Sequence, residues 1–266
     1  MLGKMISVAS YNIQKSIGTD FRRRPARILD VLDELDADIV ALQEVDRRFG
    51  ERVTSLSVEA IESATEYRPL RFGARPQSLG WHGNTILVRK GTEILDQRRL
   101  VLPAFEPRGA VLADLRVRGF ALRVVGMHLG LVGLWRRRQA VAVLEQLEAL
   151  EASLPTVMLG DFNEWSVDGG CFRLFAAEHN VSAPGPSYPS VRPMLRLDRI
   201  VTSLDLTIER SGVHLSATAR EASDHLPIWA QLSYAGSTAS REREQVAQSH
   251  SLFDEPAGQG LRRNRE

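Results

Sequence analysis

The sequence has little cysteine and no long apolar run, and each shortage excludes a class of protein. Its single cysteine, Cys171, excludes an intramolecular disulfide and a cysteine-rich zinc site. No segment approaches the roughly 18 uninterrupted apolar residues of a membrane-spanning helix. The N-terminal stretch MLGKMISVASYNI lacks the apolar core of a signal peptide and continues directly into a strand-like pattern. We therefore expect a soluble cytoplasmic protein without a transmembrane segment.

Lysine is also scarce, and the charges nearly balance. Lys4, Lys15 and Lys90 are the only lysines among 34 basic residues, and the formal net charge is +1. This balance argues against binding to nucleic acid through overall charge alone. Arginine forks suit phosphate oxygens, although an arginine bias more commonly reflects genome composition.

Apolar, strand-like segments recur along the chain, with only a few helices between them. The 266 residues are 43% hydrophobic, which is enough for a substantial core. Apolar residues at helical spacing predict one helix whose first turn contains Pro25, a second over 140–150 and a third around 59–65. Many strands with few helices predict an α/β layered sandwich. The proline-rich segment 182–193 is expected to be a long ordered loop, and the polar, charge-alternating residues 235–266 a flexible tail.

Polar side chains stand repeatedly at the ends of these strand-like segments. The segment TVMLGDFN is typical, because a buried strand has no structural need for the carboxylate and the carboxamide that follow it. Any one of these residues is explicable as a cap or turn residue. The whole set holds four carboxylates, three carboxamides and two imidazoles: Glu44, Asp161, Asp198, Asp224, Asn12, Asn84, Asn163, His128 and His225. Oxygen ligands suit Mg²⁺ or Mn²⁺, whereas zinc would call for more histidine or cysteine.

Carboxylates around a hard cation, assisted by histidine, describe a site that hydrolyses a phosphate ester. The cation neutralises charge on the phosphoryl oxygens and on the leaving group. A carboxylate can orient and deprotonate the attacking water, and carboxamides can hold an anionic substrate without adding repulsion. Arg108 lies where a strand begins and could also face this site.

Five short motifs, in order over residues 11–228, carry a resemblance to a known family. YNI, LQEV, GDFN, LDRI and SDHLPI resemble the endonuclease/exonuclease/phosphatase superfamily, the DNase I-like metal-dependent phosphoesterases. The resemblance implies a four-layered α/β sandwich, in which two mixed, mainly antiparallel β-sheets pack face to face with helices outside. It covers nearly all of the chain before the tail, so residues 1–234 are predicted to form the catalytic domain.

The resemblance also implies roles for residues that match the motifs. Glu44 matches the principal metal ligand, and Asn12 and Asp224 match residues that assist the metal directly or through water. Asp161 matches the carboxylate that activates the nucleophilic water, and Asn163 matches a neighbour that contacts the phosphate and the nucleophile.

The remaining matches concern the phosphate and the leaving group. His225 matches the histidine that binds the scissile phosphate, with Asp198 as its orienting carboxylate. His128 matches a candidate acid toward the leaving oxygen. Asn84 matches a phosphate-contacting asparagine, although its surrounding motif is shorter, and Arg108 is a further candidate for substrate binding.

The substrate stays open between nucleic acid and a phospholipid-type diester. The residues before Asn84 lack the tyrosine of abasic-site nucleases, and no DNA-penetrating loop is recognisable, which disfavours DNA repair. The arginine runs at 22–27 and 136–138 could line the cleft or be solvated. A phosphomonoesterase and a catalytically inactive binding module of the same fold are the alternative functions. We expect a monomer with no obligate protein partner.

Overall fold

The computed structural model describes residues 5–103, 105–166 and 169–234. Twelve strands occur in these ranges: β1 (Ile6–Asn12), β2 (Ile39–Gln43), β3 (Tyr67–Pro69), β4 (Thr85–Arg89), β5 (Glu93–Leu100), β6 (Gly109–Val117), β7 (Phe120–His128), β8 (Thr156–Asp161), β9 (His179–Ser182), β10 (Asp198–Ser203), β11 (Leu206–Val213) and β12 (Ile228–Tyr234). The α-helices are α1 (Pro25–Leu35), α2 (Val58–Ala64), α3 (Gly133–Glu148), α4 (Phe172–Phe175) and α5 (Ala217–Ala222). The predicted tail lies outside the described residues.

The strands form two six-stranded mixed sheets. The first sheet has the order β11-β12-β1-β2-β4-β3, and the second has the order β5-β6-β7-β8-β10-β9. Only the pairs β1–β2 and β7–β8 are parallel within these ladders, and the other pairs are antiparallel. The prediction of two mixed, mainly antiparallel sheets is therefore confirmed.

Each sheet buries both of its faces, which produces four layers. Strand β1 places Ile6 and Val8 in the core between the sheets and places Ala9 and Tyr11 in an outer core. Helices α1, α2 and α5 cover that outer face of the first sheet, and α3 and α4 cover the outer face of the second. Because successive side chains of a strand point to opposite faces, burial on both sides explains why β1, β2 and β8 are almost continuously buried.

The predicted helices occur, but the second helix differs from its prediction at both boundaries. Helix α1 has Pro25 in its first turn, where a missing N–H costs nothing, and α2 begins after Ser57, whose side chain accepts from the backbone N–H of Ala60. Helix α3 begins at Gly133, well before the predicted residue 140, and ends at Glu148. The earlier start has a physical reason, since arginine is a good helix former and the run at 136–138 continues the helix without interruption.

The strand ends that carry the polar residues meet at one end of the sandwich. Asn12 pairs with Gln43 across β1 and β2, and Asp161 pairs with both His128 and Asp198 across the second sheet. Long loops connect the strands at this end, which we call the site end. Among the described residues, no helix is long and apolar enough to cross a membrane.

Candidate active site

Asp161 lies at the centre of the polar residues at the site end. Its side chain is 2% exposed, and its Oδ2 accepts a hydrogen bond of 3.1 Å from Asn12 Nδ2. The same oxygen lies 3.3 Å from His128 Nε2 and 3.7 Å from His225 Nε2. Oδ1 accepts from the backbone N–H of Asn163 at 2.9 Å. Residues from both sheets therefore converge on one carboxylate.

The local sequence explains how Asp161 reaches this position. His128 and Asp161 are register partners on parallel strands, so both side chains stand at the same level of the second sheet. Gly160, which precedes Asp161, lies so close to the neighbouring strand β7 that a Cβ atom would stand 1.9 Å from the carbonyl oxygen of Met127. Only glycine permits this approach. The abrupt end of the apolar segment at glycine thus serves the placement of the following carboxylate.

His225 is held by a buried carboxylate. Its Nδ1 lies 2.9 Å from Asp198 Oδ2, and Ser187 donates to the same oxygen. Burial alone would lower the pKa of the His225 imidazole, but the charges of Asp198 and Asp161 outweigh it and raise that pKa to about 10. The ring of Tyr188 packs on the imidazole with centroids 4.8 Å apart. His225 is therefore a fixed cation at neutral pH, which suits an anionic phosphate.

His128 has the opposite electrostatic environment. Arg108 Nη1 lies 2.8 Å from His128 Nε2 and 3.1 Å from Nδ1, and Arg108 also pairs with Glu106 at 3.3 Å. Burial lowers the pKa of His128 well below its usual value, and the charge of Arg108 lowers it further. The imidazole of His128 is therefore neutral, so its expected action as an acid requires a proton from a bound reactant.

The pKa of Asp161 is placed for proton exchange near neutrality. Burial raises the pKa of this carboxyl to about 6; the charge of His225 opposes the rise and the charge of Asp198 adds to it. A general base works best when its pKa lies near the pH at which the enzyme operates. At neutral pH the Asp161 carboxylate is therefore ionised in a large fraction of molecules, and it is basic enough to accept a proton from water.

The three candidate metal ligands lie on the first sheet or on loops next to it. Glu44 follows β2 and accepts from the Lys15 ammonium, and Asn12 Oδ1 accepts from the backbone N–H of Gln14 at 3.1 Å. Asp224 is half-buried, and its partial burial raises its pKa; the charge of His225 opposes this rise and that of Glu44 adds to it.

This donor set fits a hard divalent cation. Two carboxylates and one amide oxygen are ligands of the kind that Mg²⁺ or Mn²⁺ takes, with water completing the shell. Within the described ranges there is no cluster of three His, Cys, Asp or Glu side chains arranged to hold a metal, so the metal and its ligands stay a prediction. The ammonium of Lys15 forms an ion pair with Glu44. It therefore supplies positive charge beside the carboxylates of Glu44 and Asp224, which repel each other.

The two candidate phosphate-binding asparagines are held by the backbone. Asn163 Nδ2 donates to the carbonyl of Leu129 at 2.9 Å. Asn84 is fully buried, and its Nδ2 donates to the carbonyls of Trp81 and Gly109 at 3.1 Å and 3.0 Å. Both amide hydrogens of Asn84 are thus engaged in bracing a turn, whereas the expected phosphate contact needs one of them free. The phosphate role of Asn84 stays a prediction.

Several residues of the site were not predicted from the sequence. A cavity of about 60 Å³ beside Glu44 and His128 is lined by Arg108, which was predicted, and by further basic side chains that were not: Lys15, Arg47, Arg48 and Arg52, together with His82. The signal for it was the segment DRRFGER directly after LQEV. The arginine run at 136–138 also divides, since Arg136 is buried against Glu164 at 3.3 Å while Arg137 and Arg138 are exposed.

Comparisons with known proteins agree with this architecture. The sequence model of the Endonuclease/Exonuclease/phosphatase family matches residues 9–225. The chain is 30% identical over 248 residues to YbhP of Escherichia coli strain K12, a protein described as uncharacterized, with 85% of this chain and 95% of YbhP covered.

Several solved structures share the fold. A mannosyl-6-phosphatase of Bacteroides thetaiotaomicron has a TM-score of 0.68 at 19% identity, with 86% of this chain and 100% of that chain covered. The catalytic domain of human Nocturnin with bound sulfate has a TM-score of 0.67 at 19% identity, with 87% and 95% covered. A D. rerio TDP2 complex with single-stranded DNA product has a TM-score of 0.65 at 17% identity, with 86% and 99% covered.

Two mixed sheets packed face to face under helical layers define a DNase I-like sandwich. The chain belongs to the endonuclease/exonuclease/phosphatase family, whose members are hydrolases that act on phosphoesters. The sequence-based prediction of family and fold is therefore confirmed.

Proposed function

We propose that the protein is a divalent-cation-dependent phosphodiesterase in which Asp161 activates the attacking water. The observation that carries this proposal is the convergence of Asn12, His128 and His225 on the Asp161 carboxylate. A carboxylate with its pKa raised to about 6, beside an imidazole whose pKa is raised to about 10, pairs a base with an anion-binding group at neutral pH.

The residues divide the reaction between them. Asp161 orients the attacking water and takes its proton. The backbone N–H of Asn163 donates to Asp161, and the side chain of Asn163 fixes this loop by donating to the carbonyl of Leu129. His225, oriented by Asp198, binds a non-bridging oxygen of the scissile phosphate and stabilises charge there. His128 Nε2 lies 3.3 Å from Asp161 Oδ2, so the proton that Asp161 takes from the water can pass through His128 to the leaving oxygen. Arg108 contacts His128 and supplies a further positive charge.

Glu44, Asp224 and Asn12 would hold the Mg²⁺ or Mn²⁺ ion. A bound divalent cation neutralises developing charge on the phosphoryl and leaving oxygens. The substrate class is a phosphodiester, taken from nucleic acid or from a phospholipid headgroup. A phosphomonoesterase would use the same residues, and the ratio of rates on a chromogenic diester and the matching monoester separates the two.

The direct test of the base is Asp161→Asn. We expect hydrolysis of bis(4-nitrophenyl) phosphate to fall by about 10²–10⁴, the usual contribution of general base catalysis, while the unfolding transition stays close to that of the wild type. Asp205→Asn, an exposed change in the turn between β10 and β11, is the matched control. A wild-type rate in Asp161→Asn would overturn the assignment of the base.

Removal of Glu44 separates an active enzyme from an inactive binding module. Calorimetric titration with Mn²⁺ should show binding to the wild type and to Asp161→Asn, and no measurable binding to Glu44→Ala, because that variant loses the main anionic ligand. Turnover should be lost in both variants. Equal Mn²⁺ affinity in Glu44→Ala and the wild type would contradict the metal assignment.

A further inference from the structure

The cavity beside the catalytic centre carries more positive charge than the scissile phosphate requires. Its inner wall is formed by Glu44, His128 and Arg108, which belong to the site described above. Its outer wall is formed by a loop that carries Arg47, Arg48 and Arg52 and by the turn that carries His82. The cavity therefore extends from the catalytic centre toward a separate group of cations.

The outer arginines are only weakly neutralised. Arg48 lies 3.8 Å from Glu106, a carboxylate that also pairs with Arg108 at 3.3 Å. Among the residues that the structure describes, Arg47 and Arg52 have no ion pair. Uncompensated arginines around a concave surface attract anions, since field lines concentrate in clefts.

A buried carboxylate fixes the arginine loop against the turn that carries His82. Asp46 accepts from the backbone N–H groups of Leu79 and Gly80 at 3.0 Å and 2.9 Å and from the Ser78 hydroxyl at 2.8 Å. Asp46 also lines the cavity, but within the described residues it forms no ion pair with the arginines of this loop. The outer wall is thus attached to the rest of the fold at its base.

Polar atoms of the cavity wall also lack partners. His82 Nδ1 and Arg108 Nε are buried and have no hydrogen-bond partner among the described residues. Arg52 and His82 both line the cavity; burial lowers the pKa of His82, and the charge of Arg52 lowers it further. Buried polar atoms without hydrogen-bond partners are uncommon, and a ligand that enters this cavity can supply the missing partners.

We propose that the outer part of this cavity is a second anion site, in which Arg47, Arg52 and His82 hold a negatively charged group of the substrate next to the scissile phosphate. The inference rests on the proposed function and narrows its substrate class to phosphodiesters that carry a second phosphate or similar anion. Phosphate fits best, because the guanidinium fork matches two of its oxygens at once.

The distance between the scissile-phosphate site and the second anion site can be measured with compounds that carry two phosphonates at increasing separation. A series of alkane α,ω-bisphosphonates of increasing chain length is titrated into the protein by calorimetry in excess Mg²⁺, beside the monophosphonate of each chain length. At one chain length the bisphosphonate should bind about tenfold more tightly than its monophosphonate, which corresponds to one additional charge-assisted hydrogen bond.

The variant Arg47→Ala/Arg52→Ala should lose this gain. Its affinity for the monophosphonate is the internal reference, and chelation of Mg²⁺ by the ligand cancels because every protein is titrated with the same compounds. The matched control is Arg116→Ala/Arg210→Ala, which removes two exposed arginines from strands β6 and β11 and should keep the gain. A gain that is absent at every chain length, or that survives in Arg47→Ala/Arg52→Ala, would overturn the second anion site.

Binding is measured without turnover, so failure of the proposed hydrolysis and failure of this inference are distinguishable. Two matched substrate pairs then identify the source of the anion: thymidine dinucleotide with and without a 5′-phosphate, and a glycerophospholipid in micelles with and without a phosphate on its headgroup. A higher kcat/KM for the phosphorylated member of either pair supports the second anion site and names its source. Equal values in both pairs count against it.

Discussion

His225 shows how much a single side chain depends on neighbours that are distant in sequence. The motif SDHLPI predicts a phosphate-binding histidine, but its protonation comes from Asp198 and Asp161, both of which lie on the second sheet. The motifs also predict that these residues converge, and the structure brings them together. They do not reveal the partner of Glu44, because Lys15 reaches it from a short 3-10 helix, Gln14–Ser16, that no local pattern predicts.

The stability of the metal-free protein should fall as the pH rises from about 6.5 toward 10. The pKa of His225 is raised to about 10 in the folded protein, above the value of about 6.5 expected when it is unfolded. The folded state therefore binds this proton more tightly, so the stabilisation is complete below the unfolded pKa and is lost through the folded pKa. Urea unfolding in EDTA across this range measures the slope.

Asp198→Asn is the variant that tests the cause of this slope. The substitution removes the largest charge that raises the pKa of His225, so the decline in unfolding free energy, roughly a few kcal/mol in the wild type, should flatten. Asp205→Asn, an exposed change in the turn between β10 and β11, should keep the wild-type slope. An unchanged slope in Asp198→Asn would show that another group is responsible.

At the scale of single elements, helix α3 separates what a pattern predicts from what tertiary contacts decide. The apolar stripe after residue 140 predicts the helix, whereas the arginine run before it is compatible with a solvated face or with the cleft. The structure assigns the three arginines to different environments. Arg136 donates to Glu164 and to the carbonyls of Gly130 and Leu131, while Arg137 is exposed. A sequence pattern does not distinguish them, because Glu164 belongs to the loop after β8.

Arg136→Ala should therefore be far more destabilising than Arg137→Ala. Side-chain exposures of 8% and 7% for Arg136 and Glu164 define a buried ion pair, and removal of one partner leaves a buried charge unpaired, at a cost of about 3 kcal/mol. The exposed neighbour should change the unfolding free energy by less than about 0.5 kcal/mol. Urea unfolding of both variants measures the difference, and similar values would mean that water replaces Arg136.

At the scale of the whole molecule, the candidate catalytic residues are divided between the two sheets. Asn12, Glu44 and Asp224 lie on the first sheet or on loops next to it, whereas His128 and Asp161 end strands of the second. The fold was predictable because the family motifs and the alternation of apolar and polar residues in the strands are visible in the sequence itself. The spacing between the sheets was not, because it depends on side chains that meet across the central core.

Gly126 in β7 is one residue that sets this spacing. A Cβ atom there would stand 3.2 Å from the Cβ of Ala41 in β2 of the first sheet and 3.5 Å from Val111 Cγ2. The substitution Gly126→Val must therefore push the two sheets apart locally. We expect a loss of about 2 kcal/mol in unfolding free energy from overpacking. Turnover should also fall by about tenfold or more, because small displacements of reacting groups are costly, although Gly126 touches no site residue.

Adding Ala41→Gly to Gly126→Val removes the methyl group that the valine meets and keeps the strand pairing unchanged. If sheet spacing causes the defect, the double variant should recover both stability and rate beyond the sum of the single effects, with an interaction energy of about 0.5 kcal/mol or more. Unfolding titrations and initial rates on bis(4-nitrophenyl) phosphate measure the cycle. Additive effects would place the defect within β7 itself, and a full rate in Gly126→Val would show that the catalytic centre tolerates a change in the distance between its two halves.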